Sequence, residues 1–143
     1  MTRGEDLLRL VLGSHAMTRL AALETNNEAP SAQWRTLRLL RENGPQRVGD
    51  LATMSRVSQP GMTRLIGHLV EAGFVARESD PTDARASVVS ATAAGVEALE
   101  HWLADLQAAM EPHFAGLSDA DWEAIRSAAD SLTAATAVPE VVR

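Results

Sequence analysis

The chain has 143 residues, 45% of them hydrophobic and 22% charged, with a formal net charge of −6, which is the size of one ordinary domain with a normal soluble balance. It contains no cysteine, so disulfides, thiolate metal sites, cysteine nucleophiles and thiol redox sensing are excluded. No stretch approaches 18 uninterrupted apolar residues, and Met1 to Asp6 lead into no apolar leader run, so a cytoplasmic protein is expected.

Residues 5–24 carry Leu7, Leu8, Val11, Leu12, Met17, Leu20 and Leu23 at mixed three- and four-residue spacing, an amphipathic helix. Asn26-Asn27 and Pro30 stop it. Ser31 is an N-cap for a second helix with Trp34, Leu37 and Leu40 on one face, ended by Asn43-Gly44-Pro45. A short helix follows at about 47–54, with Val48 and Leu51 inward, then the tight connection Ser55-Arg56-Val57. Ser58 caps the next helix, Pro60 is tolerated in its first turn, and Met62, Leu65, Ile66 and Leu69 form its buried stripe until Gly73 closes it. A short helix, a tight turn and a second helix make a helix-turn-helix pattern.

Phe74–Ser79 and Arg85–Ser90 read as two short strands joined by Asp80-Pro81-Thr82-Asp83-Ala84, a hairpin or wing. Thr92 caps a long helix over residues 92–114, where Val96, Leu99, Leu103, Leu106 and Met110 repeat at the seam spacing of helix pairing. Ser118-Asp-Ala-Asp121 resembles a capping box, and Trp122, Ile125, Ala129 and Leu132 continue a last amphipathic helix, with a frayed tail from Ala137. The fold class expected is mainly α with a small β-hairpin wing, a winged helix-turn-helix on a helical dimerisation scaffold.

The negative total charge is unevenly spread. Between Arg35 and Arg85 eight arginines face six acids, a local balance of +2, which leaves −8 for the rest of the chain. With a Debye length of about 8 Å, distant acidic helices cannot cancel a basic face held against phosphate. The second helix of the motif exposes Gln59, Thr63, Arg64, Gly67 and His68 opposite its buried stripe. Glutamine can pair with adenine N6 and N7, and arginine with guanine O6 and N7, in the major groove. An arginine on a hairpin can enter a narrow minor groove, with a nearby acid holding its guanidinium; Asp83 and Arg85 fit that pairing.

The stretches Val48-Gly-Asp-Leu-Ala52, Val57-Ser-Gln-Pro-Gly-Met-Thr-Arg-Leu65, Leu69-Val-Glu-Ala-Gly-Phe-Val-Ala-Arg77, Asp80-Pro-Thr-Asp-Ala-Arg85 and Thr92-Ala-Ala-Gly95 together resemble the MarR family of bacterial regulators. That resemblance implies a single domain over residues 1–143, with a DNA-binding winged-helix lobe at 30–91 and helical dimerisation segments at 1–29 and 92–143. It implies a transcriptional regulator, a repressor by expectation, that binds a roughly palindromic double-stranded operator as a homodimer. Ser58, Gln59, Thr63 and Arg64 would then contact the major groove or phosphates, Arg85 the minor groove with Asp83 orienting it, and Arg77 would support the backbone contacts. Gly67 and His68 stand where charged or larger residues are commoner. The family often responds to small aromatic or phenolic ligands; His15, Arg19, Trp34 and Arg38 are the candidates for such a site.

Glu97, His101 and Asp105 lie at i, i+4 and i+8 on one helix, but no second cluster joins them, and neither metal nor cofactor is expected. The four histidines are scattered, and there is no Gly-rich phosphate loop, nucleophile motif or framed carboxylate pair, so an enzyme is not expected. The alternative is a winged-helix module that binds protein; its mark would be loss of the wing arginine or an apolar recognition face, and neither is seen.

Overall fold

The computed structural model describes residues 1–25 and 31–137. The expected stop at Asn26-Asn27 and Pro30 and all of the tail beyond Ala137 lie outside them. Six α-helices and three strands follow in the order α1 (Arg3–Thr25), α2 (Ser31–Asn43), β1 (Gln46–Arg47), α3 (Val48–Ser55), α4 (Gln59–Glu71), β2 (Val75–Asp80), β3 (Asp83–Ala91), α5 (Ala93–Met110) and α6 (Asp119–Thr136), with a 3-10 turn at Glu111–Phe114. Among the described residues no helix is long and apolar enough to cross a membrane.

Local chemistry sets most of these boundaries. Gly44 at φ 74° and Gly73 at φ 77° take the left-handed conformation that ends a helix or turns the chain after it. Arg56 adopts the same region at φ 54° without being glycine. The Val57 N–H donates to Ala52 O at 3.0 Å, which closes α3 and leads directly to α4. Ser58 and Thr92 cap α4 and α5 by accepting the N–H groups of Gly61 and Gly95, each at 3.1 Å. At α6, Ser118 and Asp121 form the reciprocal capping box, and its hydrogen bonds to Ser118 hold the Asp121 carboxyl below its ordinary range. Ser31 is itself helical, and the start of α2 adjoins the undescribed segment.

The core joins α2, α3, α4, α5 and the sheet. Leu37, Leu51, Met62, Ile66, Leu69, Val89 and Leu99 are fully buried, and Trp34 of α2 stacks on Trp102 of α5 with ring centroids 5.3 Å apart. The Met62–Leu69 stripe thereby fixes α4 with its opposite face in solvent.

Four features depart from the sequence reading. A third strand, β1, pairs with β3 (Gln46 with Val89, Arg47 with Val88) and gives a sheet of order β1-β3-β2. The wing is tighter at its tip than expected, because Asp80 faces Asp83 across Pro81-Thr82 while the preceding Ser79 faces Ser87. Ala84, Arg85 and Ala86 therefore have no opposite number and bulge from β3, a device that re-aims side chains. Strand β2 starts at Val75, since the N–H of Phe74 is still committed to Leu69 O at 2.9 Å. The long helix also stops at Met110 rather than running to 114, because Pro112 has no N–H for a helical ladder and forces the 3-10 turn.

Helices α1 and α6 stand apart from this core. Ala21 is the buried residue of α1, and α6 buries none. Leu7, Leu8, Leu10, Val11, Leu12, Met17 and Leu23 of α1, with Ile125 and Leu132 of α6, are exposed. An apolar groove of about 860 Å³ runs between α1, the end of α5 and α6, lined among others by Leu10, Met17, Met110, Phe114, Trp122 and Ile125. His113 of the 3-10 turn pairs with Glu24 at 2.5 Å, tying the end of α1 to the end of α5.

A close joint links the start of the wing to α5. Thr92 Oγ1 donates to Gly73 O at 2.6 Å and the Thr92 N–H to Phe74 O at 3.0 Å. A Cβ on Gly95 would lie 2.0 Å from Phe74 O, which is backbone and cannot step aside. Gly95→Ala is therefore expected to cost about 3 kcal/mol in urea unfolding. Gly67→Ala, on α4 with open space around it, should instead stabilise by about 0.5–1 kcal/mol. Similar midpoints for the two variants would remove the joint from the account.

Candidate nucleic-acid interface

A cleft of about 470 Å³ opens between the helix-turn-helix and the wing. Gln59 and Thr63 of α4 line it from one side, Arg47, Arg77 and Arg85 from the three strands line the other, and Asp50 of α3 is the one acid among its described lining residues. Four of the seven side chains expected to meet DNA are thus brought together: Gln59, Thr63, Arg77 and Arg85, all exposed.

The other three are placed differently. Ser58 spends its hydroxyl oxygen on the helix cap. Arg64 is exposed on α4, outside the lining of the cleft, on the stretch of helix that faces solvent. Asp83 accepts a hydrogen bond from the backbone N–H of Arg85 at 3.0 Å, not from its guanidinium, and no ion pair joins the two among the described residues. The expected Asp83–Arg85 ion pair is therefore replaced by an Asx-type turn that shapes the bulge. The Thr63 hydroxyl donates to Gln59 O at 2.9 Å, leaving its lone pairs and methyl outward.

The acid that organises the wing is Asp80. Its side chain is 2% exposed, and one of its oxygens takes Arg47 Nε at 2.7 Å and Arg47 Nη2 at 2.6 Å. The other oxygen accepts the N–H and the hydroxyl of Thr82, both at 2.8 Å. Thr82 first, then Arg47, lower its carboxyl to about 2. Neither Arg47 nor the role of Asp80 was legible in the sequence, because the partners are 33 residues apart and β1 is two residues long.

The four side chains expected to form a ligand site line neither of the two openings described. Trp34 is committed to the Trp102 stack, Arg38 lies 3.9 Å from Glu42 on an exposed face, and His15 and Arg19 are exposed on α1. Glu97 and His101 sit 3.9 Å apart on the open face of α5, and among the described residues no three such side chains converge.

A carboxyl lowered in the folded state stabilises above its unfolded range and loses that contribution as pH falls through its folded value. The Asp80 contribution should be complete above about pH 4 and vanish towards about pH 2. The Thr82 amide resonance is expected to inflect near pH 2 and to lose the inflection in Asp80→Asn. An inflection at the ordinary 3.8 would show that the network is absent in solution.

The sequence profile described as "MarR family" matches residues 30–87. An uncharacterised helix-turn-helix-type transcriptional regulator of Mycobacterium bovis, Mb0904, is 34% identical over 110 residues, covering 72% of either chain. The regulator FarR of Neisseria gonorrhoeae is 31% identical over 84 residues, covering 59% of this chain and 58% of its own. In fold, the wild-type apo MarR of E. coli superposes with a TM-score of 0.75 at 20% identity, over 92% of this chain and 96% of that one. The profile falls on the lobe that carries the cleft, and the mycobacterial relative extends the match well beyond it: the chain belongs to the MarR family of transcriptional regulators, DNA-binding winged-helix proteins and not enzymes.

Proposed function

We propose that this regulator acts as a repressor, binding a roughly palindromic operator as a homodimer. The observation that carries the reading is the cleft: the start of the helix with an outward Gln and Thr, and three arginines from three strands, meet on one solvent-open face. Helix α4 presents Gln59, Thr63 and Arg64 to base edges and phosphates, and the bulge at residues 84–86 aims Arg85 at the adjacent minor groove. Residues 30–91 form the DNA-binding lobe, and the flanking segments 1–29 and 92–143 pair two copies so that their α4 helices meet successive major grooves about 34 Å apart.

The apolar side chains that α1 and α6 leave uncovered support pairing, because a helix with such a face is stable only when something covers it. Release by a small aromatic or phenolic ligand stays within this reading, with His15, Arg19, Trp34 and Arg38 as its candidate residues.

The test is fluorescence anisotropy against a duplex from the gene's own upstream region and a scrambled control, across a salt series. Tight binding with a wide margin over the control, weakening steeply with salt, is expected. Arg64→Ala should lose about 1–3 kcal/mol of specific binding and relax base preference. Arg85→Ala should lose more on A·T-rich than on G·C-rich flanks. Equal losses on both flanks would remove Arg85 from the minor groove, and no binding to either duplex would bring forward a protein-binding role. Sedimentation equilibrium should return twice the chain mass of 15.3 kDa, and Ile125→Asp should shift it towards one; a monomeric wild type would end the dimer reading.

A further inference from the structure

We propose that Arg47 is a DNA-phosphate contact on the wing side of the cleft, and that Asp80 is its positioning residue; this rests on the DNA-binding reading above. Arg47 has two jobs on two edges. Its Nε and Nη2 are spent on Asp80, at 2.7 and 2.6 Å, with Nη2 also 3.4 Å from Thr82 Oγ1. The planar guanidinium then turns Nη1 away from the carboxylate, and Nη1 has no protein partner among the described residues, although Arg47 lines the cleft beside Arg77 and Arg85.

An arginine free in solvent loses much of its rotameric freedom on meeting a phosphate. Arg47 has already lost it. Its side chain is 36% exposed, held by a carboxylate that is 2% exposed, so its free edge is fixed before any ligand arrives. Its backbone is fixed too, by the pairing of Arg47 with Val88 in the sheet. Asp80 cancels part of its charge, and Asp50 opposes the rest of the cleft, so Arg77 and Arg85 supply the attraction. Arg47 supplies a directed N–H donor. A diester oxygen seated there would bring the wing and the start of α4 onto the same stretch of backbone.

The full chain is titrated by anisotropy with the same two duplexes over a salt series, with thermal melts to confirm folding. Arg47→Gln should weaken both duplexes alike, about 10-fold, and lower the slope of log affinity against log salt by about one. Asp80→Asn should weaken binding while leaving that slope undiminished, because the charge remains and only its placement is lost. Arg47→Lys, a milder change should Arg47→Gln not fold, is expected to keep the slope and lose affinity through its missing fork. An unchanged slope in Arg47→Gln, a reduced one in Arg47→Lys, or tighter binding by Asp80→Asn overturns the assignment. Wild-type protein that binds neither duplex overturns the DNA reading itself, an outcome distinct from wild-type binding that Arg47→Gln leaves intact.

Discussion

The joint between the wing and the helix-turn-helix depends on one nearly buried carboxylate. Asp80 gathers a turn N–H, a turn hydroxyl and a guanidinium, and through them ties together the tip of the wing, the two-residue strand β1 and the start of the helix-turn-helix, adding to the pairing of β1 with β3. A buried charge is tolerated only when its lone pairs are filled, and here both oxygens are. Beyond the reach of the short β1 pairing the wing is a two-stranded hairpin, which in water is marginal by itself; the Asp80 network holds its tip there, next to the bulge that the Asp83 turn shapes.

Much of the fold was written in local chemistry and could be read from it. The caps Ser58 and Thr92, the left-handed Gly44 and Gly73 and the Met62–Leu69 stripe act within a few residues of themselves, so their signals survive in the bare sequence. What escaped acts at a distance or on a small scale. β1 is too short for any period, and the bulge at residues 84–86 shows only when the two strands are laid side by side. The unbroken seam from Val96 to Met110 carries the expected helix past Pro112, a residue whose missing N–H the periodicity does not register, and the helix gives way there. At the site, residue types with a chemical claim on DNA were recognisable, whereas the partner of each was not: Asp83 looked like the holder of Arg85, and the backbone amide took it instead.

The charge distribution completes the division of labour. The basic balance between Arg35 and Arg85 coincides with the lobe that the family profile covers, while most of the other acids among the described residues lie on α1, α5 and α6. Under the proposed DNA-binding reading, the net negative charge limits indiscriminate attraction to nucleic acid and leaves the three cleft arginines to act at short range, where screening by salt is weakest.

Helix α6 is eighteen residues long and buries none of them. Its capping box starts it well, but a helix of that length draws most of its stability from packing, and its own chain supplies little. Whatever covers α6 therefore shares in its folding free energy, and by mass action that share grows with the concentration of the covering molecule. If that molecule is a second copy, dilution would fray the scaffold before it unfolded the lobe, and the lobe's grip on two neighbouring grooves would become a readout of how much of the regulator the cell has made.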